Sequence, residues 1–212
     1  MPLPDFFINR YKDWKENNFP KNEKLYRFAD KNGQCPKAMV ISCCDSRVHS
    51  SQIFQSSVGE LFIYRNIANL VPSILKDKKD FGTLSAIEYA TKTLKVPNIV
   101  ILGHSKCGGI NYAYKKFSNE IKSQSNNFLD EWIETIRPAY DTLNKSMDAE
   151  TNLKSLELQS IKNSLTNLKN ISFINNLLTE NKLNIHGLWF EIGSGSLMNY
   201  NQDTKKFENL FY

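Results

Sequence analysis

The chain has 212 residues, which is enough for one domain with a sizeable hydrophobic core. Hydrophobic residues make up 41% of it and charged residues 23%, a composition typical of ordinary globular proteins rather than disordered ones. The formal net charge of +5 suits a small anionic ligand, but it is too small and too scattered to indicate nucleic-acid binding.

The N-terminal sequence has no basic segment followed by an apolar one, so it does not resemble a signal peptide. No apolar stretch approaches the roughly 20 residues that a membrane-spanning helix needs. We therefore expect a cytoplasmic protein with no membrane partner. In a reducing compartment, cysteines near a histidine favour metal binding or catalysis over disulfides.

Residues 1–33 are predicted to form an N-terminal helical arm that precedes a catalytic domain at 34–212. Phe7, Tyr11 and Trp14 recur at helical spacing and place three aromatic side chains on one stripe. The stripe packs either on its own domain or on a partner subunit, and its spacing does not distinguish the two.

Short apolar runs at 37–43, 60–65 and 98–102 predict buried strands, and the segment 83–94 predicts a helix. The mixed-charge run 76–80 between them predicts a solvated loop. Strands that alternate with helices in this way favour a mostly parallel sheet flanked by helices on both faces, an α/β fold.

The segment 112–180 is polar and predicted to be largely helical. An apolar stripe within it is expected to pack in the core: Leu158, Ile161, Leu165 and Leu168. The tail returns to strand at 184–192 and 197–200, and the glycine turn 193–195 between these runs predicts a C-terminal hairpin.

Reactive side chains follow two of the predicted strands. Cys43 ends the first strand, and His104 and Cys107 follow the third. Because ligands bind at the carboxyl ends of strands in such sheets, we expect these three side chains to converge. Two thiolates and an imidazole suit zinc, and three protein ligands with an open position are the catalytic pattern. Cys44 is expected to point away, as a small buried hydrophobe.

Asp45 and Arg47 share a face with Cys43 if the chain continues extended. Arg47 would then hold Asp45 ionised through a charge-assisted pair, and Asp45 would accept a hydrogen bond from a hydroxide on the metal. One alternative is that Asp45 moves onto the metal and fills the open position, which would give a resting state. Another is an ordinary ion pair in which Asp45 or Ser46 caps the following helix.

The segments CCDSR (43–47), GELFIYRNIANLVP (59–72), IEYA (87–90) and GHSKCGG (103–109) closely resemble the β-class carbonic anhydrases. The tail IHGLWFEIGSGSL (185–197) is also similar to that family, and the resemblance covers residues 34–210. It implies one Zn²⁺ per subunit, a homodimer or higher homo-oligomer, and N-terminal helices that grip a second subunit.

The resemblance also implies the site residues. The zinc ligands would be Cys43, His104 and Cys107, and the dyad would be Asp45 and Arg47. The residues expected to line the substrate pocket, with a contribution from a second subunit, are Gln34, Phe62, Ile67, Tyr89 and Gly108. No Trp lies between Trp14 and Cys43, so the plant-like subtype with an open metal position is expected.

The implied reaction is the reversible hydration of CO₂ to bicarbonate and a proton, by attack of zinc-bound hydroxide. One alternative is a related hydrolase of carbon disulfide or carbonyl sulfide that uses the same ligands. Another is a non-enzymatic zinc or redox sensor with a closed four-ligand site that includes Cys44.

Overall fold

A computed structural model describes residues 1–74, 81–122 and 128–211, so the loop predicted at 76–80 lies outside the described residues. The strands are β1 (Ala38–Cys43), β2 (Leu61–Asn66), β3 (Asn98–His104), β4 (Asn184–Phe190), β5 (Leu197–Asn201) and β6 (Lys206–Asn209). The helices are α1 (Asp5–Asp13), α2 (Phe19–Asn32), α3 (Ser50–Ile53), α4 (Phe81–Glu88), α5 (Gly108–Phe117), α6 (Phe128–Ile133), α7 (Arg137–Tyr140), α8 (Ala149–Lys169) and α9 (Ser172–Thr179). π-helical turns occupy Trp14–Asn18 and Tyr89–Thr93, and 3₁₀ turns occupy Ile67–Asn69 and Glu134–Ile136.

The described strands form one sheet in the order β2-β1-β3-β4-β5-β6. The first four are mutually parallel, and β5 and β6 are antiparallel. This confirms the α/β prediction of a mostly parallel sheet with a C-terminal hairpin. Strand β6 was not predicted, because its sequence, Lys-Phe-Glu-Asn, contains one apolar residue and no alternation.

The larger core lies between one face of the sheet and helices α4, α8 and α9. Met39, Ile41 and Ile101 face it from the strands, and the apolar stripe of α8 covers β3 and β4. Within that stripe Ile161, Leu165 and Leu168 are buried and Leu158 is half-buried, which confirms the expected core packing.

The opposite face of the sheet carries a smaller cluster. Val40 and Leu102 pack there against Val48, which precedes α3, and against Ile53 within it. Helical segments thus flank both faces, and the metal-ligand candidates lie at the carboxyl ends of β1 and β3 between them.

The N-terminal segment forms the expected helical arm as α1, a π-helical turn and α2. Trp14, Phe19 and Tyr26 pack together, with ring centroids 5.5–5.8 Å apart. Phe7 and Tyr11 remain 56% and 61% exposed, and no residue of these helical elements is buried. Among the described residues, none of the helices combines the length and the apolar character that crossing a membrane requires.

Gly187 in β4 lets α8 approach the sheet closely, which gives a test of this packing. A Cβ at Gly187 would lie 2.8 Å from Ile161 Cγ2 and 3.0 Å from Leu165 Cδ1. We expect Gly187→Ala to lower the free energy of unfolding by about 1–3 kcal/mol through overpacking, as measured by urea denaturation. Gly193→Ala is the control, because the nearest atom to its added Cβ is Glu191 Oε1 at 3.9 Å. Equal stability of the two variants would contradict this account of the α8 contact.

Candidate metal centre

The three predicted ligands meet at the carboxyl edge of the sheet. Strands β1 and β3 are parallel neighbours with Ser42 opposite Leu102, so Cys43 is level with Gly103 and His104 lies one residue further along. The ligand atoms of Cys43, His104 and Cys107 all lie within 4.8 Å of one another. Each of these residues is at most 4% exposed, so the cluster is buried.

A tight turn returns Cys107 to the position beside His104. Lys106 in this turn has φ 54°, a left-handed conformation that a non-glycine residue adopts at a cost in energy. Cys107 is the N-cap of α5, and the backbone N–H groups of Ile110 and Gly109 at the start of that helix oppose the rise in the pKa of its thiol. Gly109 is required here, since a Cβ would lie 2.7 Å from Ile67 Cγ2.

The His104 ring is oriented for metal binding. Its Nδ1–H donates to the Ser105 carbonyl at 2.9 Å, which leaves a lone pair on Nε2. Nε2 is buried and has no hydrogen-bond partner among the described residues. Ser105 is in turn fixed by β4 and the residues after it: its N–H donates to Phe190 O, and its Oγ accepts from the Ile192 N–H.

The two buried sulfurs of Cys43 and Cys107 are 3.9 Å apart. Their hydrogen bond lowers the pKa of Cys43 and raises the pKa of Cys107, because a second negative charge at this distance is unfavourable. Both thiols can ionise once a cation lies between them. Tetrahedral zinc with bonds of about 2.3 Å to sulfur would separate the two sulfurs by about 3.8 Å, so the residues fit the ion.

Asp45 and Arg47 form a bidentate ion pair beside the ligands. Arg47 Nε donates to Asp45 Oδ1 at 2.9 Å and Nη2 donates to Oδ2 at 2.7 Å. The guanidinium thereby holds the pKa of the Asp45 carboxyl well below its usual range. Asp45 Oδ2 lies 3.9 Å from His104 Nε2, so the carboxylate is next to the candidate ligand cluster.

The local backbone differs from the extended chain that was expected to align these groups. The N–H of Val48 donates to Asp45 O, and the N–H of Arg47 donates to Asp45 Oδ1, so residues 45–48 form a turn. Helix α3 begins only at Ser50, so Asp45 and Ser46 do not cap it, and the capping interpretation of the pair is not supported. Arg47 Nη2 also donates to Lys106 O, which joins the two ligand segments.

The expectation that Cys44 is buried was wrong. Cys44 is exposed and lies outside the metal cluster found among the described residues. Cys44 lies one residue past the end of β1, although its N–H still donates to Asn66 O at 3.0 Å. A closed four-ligand site that includes Cys44 therefore has no support in the geometry.

Arg65 in β2 is a residue of this site to which the sequence analysis assigned no role. Its guanidinium donates to three carbonyls of the first ligand segment: Cys43 O at 2.9 Å, Asp45 O at 2.7 Å and Val48 O at 2.9 Å. It fixes the turn that carries the ion pair. In the sequence, the sign that Arg65 has a role was its position as a charged residue within an otherwise apolar strand.

The residues expected to line the substrate pocket fall into two groups. Ile67 and Gly108 lie beside the ligands, one after the end of β2 and the other at the start of α5. Phe62 and Tyr89 pack together, with ring centroids 5.9 Å apart, but Phe62 is opposite Met39 in β1. Met39 is four residues before Cys43 in β1, so Phe62 lies about 13 Å from Cys43 along the strand direction.

Gln34 belongs with the second group. It is exposed, and its Cβ lies 4.0 Å from where a Cβ on Gly59 would stand, near the start of β2. The structure thus brings together the three ligands, the ion pair, Ile67 and Gly108. It places Gln34, Phe62 and Tyr89 toward the other end of the β1–β2 pair.

Comparison with known proteins identifies relatives over nearly the whole chain. A family model described as carbonic anhydrase matches residues 38–197. β carbonic anhydrase 3 of Arabidopsis thaliana is 35% identical over 91% of this chain and 74% of its own length.

Solved structures of similar fold carry the same description. The β-carbonic anhydrase CcaA superposes with a TM-score of 0.89 at 26% identity, covering 98% of this chain and 92% of that one. A tetrameric β-carbonic anhydrase from the ascomycete Sordaria macrospora superposes with a TM-score of 0.76 at 25% identity, covering 98% and 96%.

The donor set predicts metal binding that depends on Cys43 and is independent of Cys44. We expect the native chain to bind one zinc ion, measured by elemental analysis and by competition with a chromophoric chelator. Cys43→Ser should weaken zinc binding by more than about 100-fold, since loss of an outer partner of a ligand alone costs about 10- to 100-fold. Cys44→Ser, which changes an adjacent and exposed thiol, should bind as the native chain does. Full zinc occupancy in Cys43→Ser would refute the ligand assignment.

Proposed function

This chain belongs to the β-class carbonic anhydrases, and from that premise we propose how its own residues carry out the reversible hydration of CO₂ to bicarbonate and a proton. One Zn²⁺ per subunit would be held by Cys43, His104 and Cys107. The observation that carries the proposal is a buried three-ligand cluster with the Asp45 carboxylate, held ionised by Arg47, directly beside it.

Zinc, when bound, supplies the Lewis acidity that makes a hydroxide nucleophile available near neutral pH. The chain contributes the remainder of the chemistry. Two thiolates and a neutral imidazole balance the charge of the ion, and His104 keeps its proton on Nδ1, where Ser105 O accepts it. The buried surroundings exclude bulk water from the ligand side.

Asp45 is proposed to orient the nucleophile. Its carboxylate accepts the hydroxyl proton as a hydrogen bond and thereby directs an oxygen lone pair toward carbon. Arg47 keeps Asp45 ionised and, by occupying both of its oxygens, opposes its rotation onto the metal. This supports the form of the site in which the fourth position stays open to water.

Substrate would be held by residues from two chains. Ile67 is proposed to form an apolar wall, and the Gly108 N–H at the start of α5 to donate to a substrate oxygen. Gln34, Phe62 and Tyr89 lie too far along the sheet to reach the metal of their own chain. We propose that they complete the pocket of a partner subunit.

The N-terminal arm supports this assembly. Its aromatic side chains Phe7 and Tyr11 remain more than half exposed to solvent in the described part of the chain, and a second copy of the chain would bury them. Tetrameric relatives of the same fold favour a homo-oligomer. A division into an arm at 1–33 and a catalytic domain at 34–212 and a cytoplasmic location remain parts of the proposal.

The role of Asp45 is testable by removing its charge alone. We expect Asp45→Asn to lower kcat/KM for CO₂ hydration by roughly 100-fold, within the range that a positioned proton acceptor contributes. Stopped-flow pH-indicator assays measure the rate, and elemental analysis should find zinc retained. Asp203→Asn, at an exposed turn between β5 and β6, is the matched control and should behave as the native chain.

Two outcomes would contradict the proposal. A zinc-replete native chain with no hydration above the buffer rate would refute the activity, and hydrolysis of carbon disulfide or carbonyl sulfide by the same sample would identify the alternative substrate. Native-like hydration by Asp45→Asn would refute the orienting role alone.

The arm makes a separate prediction about assembly. The double substitution Phe7→Ser and Tyr11→Ser should shift the chain toward the monomer in sedimentation equilibrium, since about 150–250 Å² of apolar surface per aromatic residue would no longer be buried. Phe128→Ser, at an exposed aromatic residue outside the arm, is the control. If the double variant assembles as the native chain does, the arm is not the contact.

A further inference from the structure

Glu157 is a buried carboxylate directly behind the metal-binding turn. It lies in the middle of α8, on the side of the helix that packs in the core, and is 6% exposed. Its Oε1 accepts the backbone N–H of Cys107 at 3.2 Å, and its Oε2 accepts Trp189 Nε1–H at 3.0 Å. No part of the reaction described above uses it.

A carboxylate at this place is costly for the fold. Burying a charged group is unfavourable unless hydrogen bonds compensate, and an apolar side chain of similar size often serves stability as well or better. The neighbouring positions Leu156 and Ile161 of the same helix are apolar and fully buried. The role of the carboxylate must therefore be sought in its two hydrogen bonds, to the Cys107 N–H and to Trp189 Nε1–H.

The contact with Cys107 meets a specific need of the turn. Cys107 is the N-cap of α5, so its N–H has no carbonyl partner within that helix. The preceding residue, Lys106, is held in a left-handed conformation, and such a conformation persists only where its surroundings impose it. Two other anchors act on this turn, one from Arg47 and one through Ser105.

We propose that Glu157 is a positioning residue for the metal: it fixes the backbone of Cys107, and thereby the Cys107 sulfur, at the distance from Cys43 that zinc requires. The inference rests on the proposed zinc site. Trp189 in β4 fixes the second oxygen of Glu157, so the carboxylate ties the turn to both α8 and the sheet.

The substitution Glu157→Gln tests this role at nearly constant volume. Two N–H donors face the two oxygens, and an amide offers one acceptor and one NH₂ group, so one of the donors loses its partner. Trp189→Phe removes only the outer donor and leaves the bond to Cys107. Glu150→Gln, at an exposed position of the same helix, is the matched control.

The primary measurement is the rate at which zinc passes from the holoprotein to a chromophoric chelator. We expect Glu157→Gln to release zinc at least about 10-fold faster than the native chain, the size typical of lost outer-shell support. Trp189→Phe should show a smaller acceleration and Glu150→Gln none. The absorption spectrum of the Co²⁺-substituted protein should change in Glu157→Gln, because the geometry around the sulfurs changes.

A merely structural Glu157 would give a different result. Thermal unfolding of the metal-free variants, followed by circular dichroism, would then change while zinc release and the Co²⁺ spectrum of the folded variants stayed native. That result overturns the proposal. If Glu157→Gln does not fold, native-rate release by folded Trp189→Phe overturns it as well, and accelerated release supports it. A native chain that binds no zinc would instead refute the metal site itself.

Discussion

The structure depends on bringing two thiols together inside the protein. Cys43 and Cys107 are buried with their sulfurs 3.9 Å apart, beside an imidazole whose inward nitrogen has no hydrogen-bond partner among the described residues. Without a cation this arrangement is unfavourable, because two negative charges cannot form side by side on the buried sulfurs and a buried nitrogen has no hydrogen-bond partner among the described residues. A divalent cation between them would be bound by both sulfurs and by this nitrogen, so each unfavourable group would gain a favourable bond. The cluster thus has the features of a candidate metal site, which supports the proposal that it holds a metal ion.

Backbone carbonyls and guanidinium groups hold that cluster in place. Arg65 binds three carbonyls of the segment after β1, and Arg47 joins Asp45 to the turn after β3. The two ligand segments are 60 residues apart along the chain but belong to adjacent parallel strands. The pairing of β1 with β3 brings the two ligand segments close together, and the arginine contacts fix their orientation relative to each other. Cationic side chains near the sulfurs also favour the thiolate forms.

The buried strands and the convergence of the candidate ligands could be predicted from the sequence, because short local patterns specify them. Apolar runs mark the buried strands, and Cys43 and His104 follow two of them, so their convergence follows from sheet topology. The parts that could not be predicted depend on tertiary contacts. The turn after Asp45, the exposure of Cys44 and the pairing of β6 each depend on neighbours that no local pattern specifies. The contact of Glu157 with Cys107 joins residues 50 positions apart, and a lone Glu in an amphipathic helix gives no sign of it.

The register of β1 and β2 links catalysis to assembly. The proposed ligand Cys43 is level with Asn66, whereas Phe62 is level with Met39, about 13 Å away along the strands. This separation supports the proposal that Phe62 and Tyr89 line the pocket of a second subunit rather than that of their own chain. A second copy can supply the missing group without any change in either fold. The proposed contact between subunits is made by the exposed aromatic side chains of the arm. If assembly completes the substrate pocket, these side chains contribute to the reaction as well as to the subunit contact.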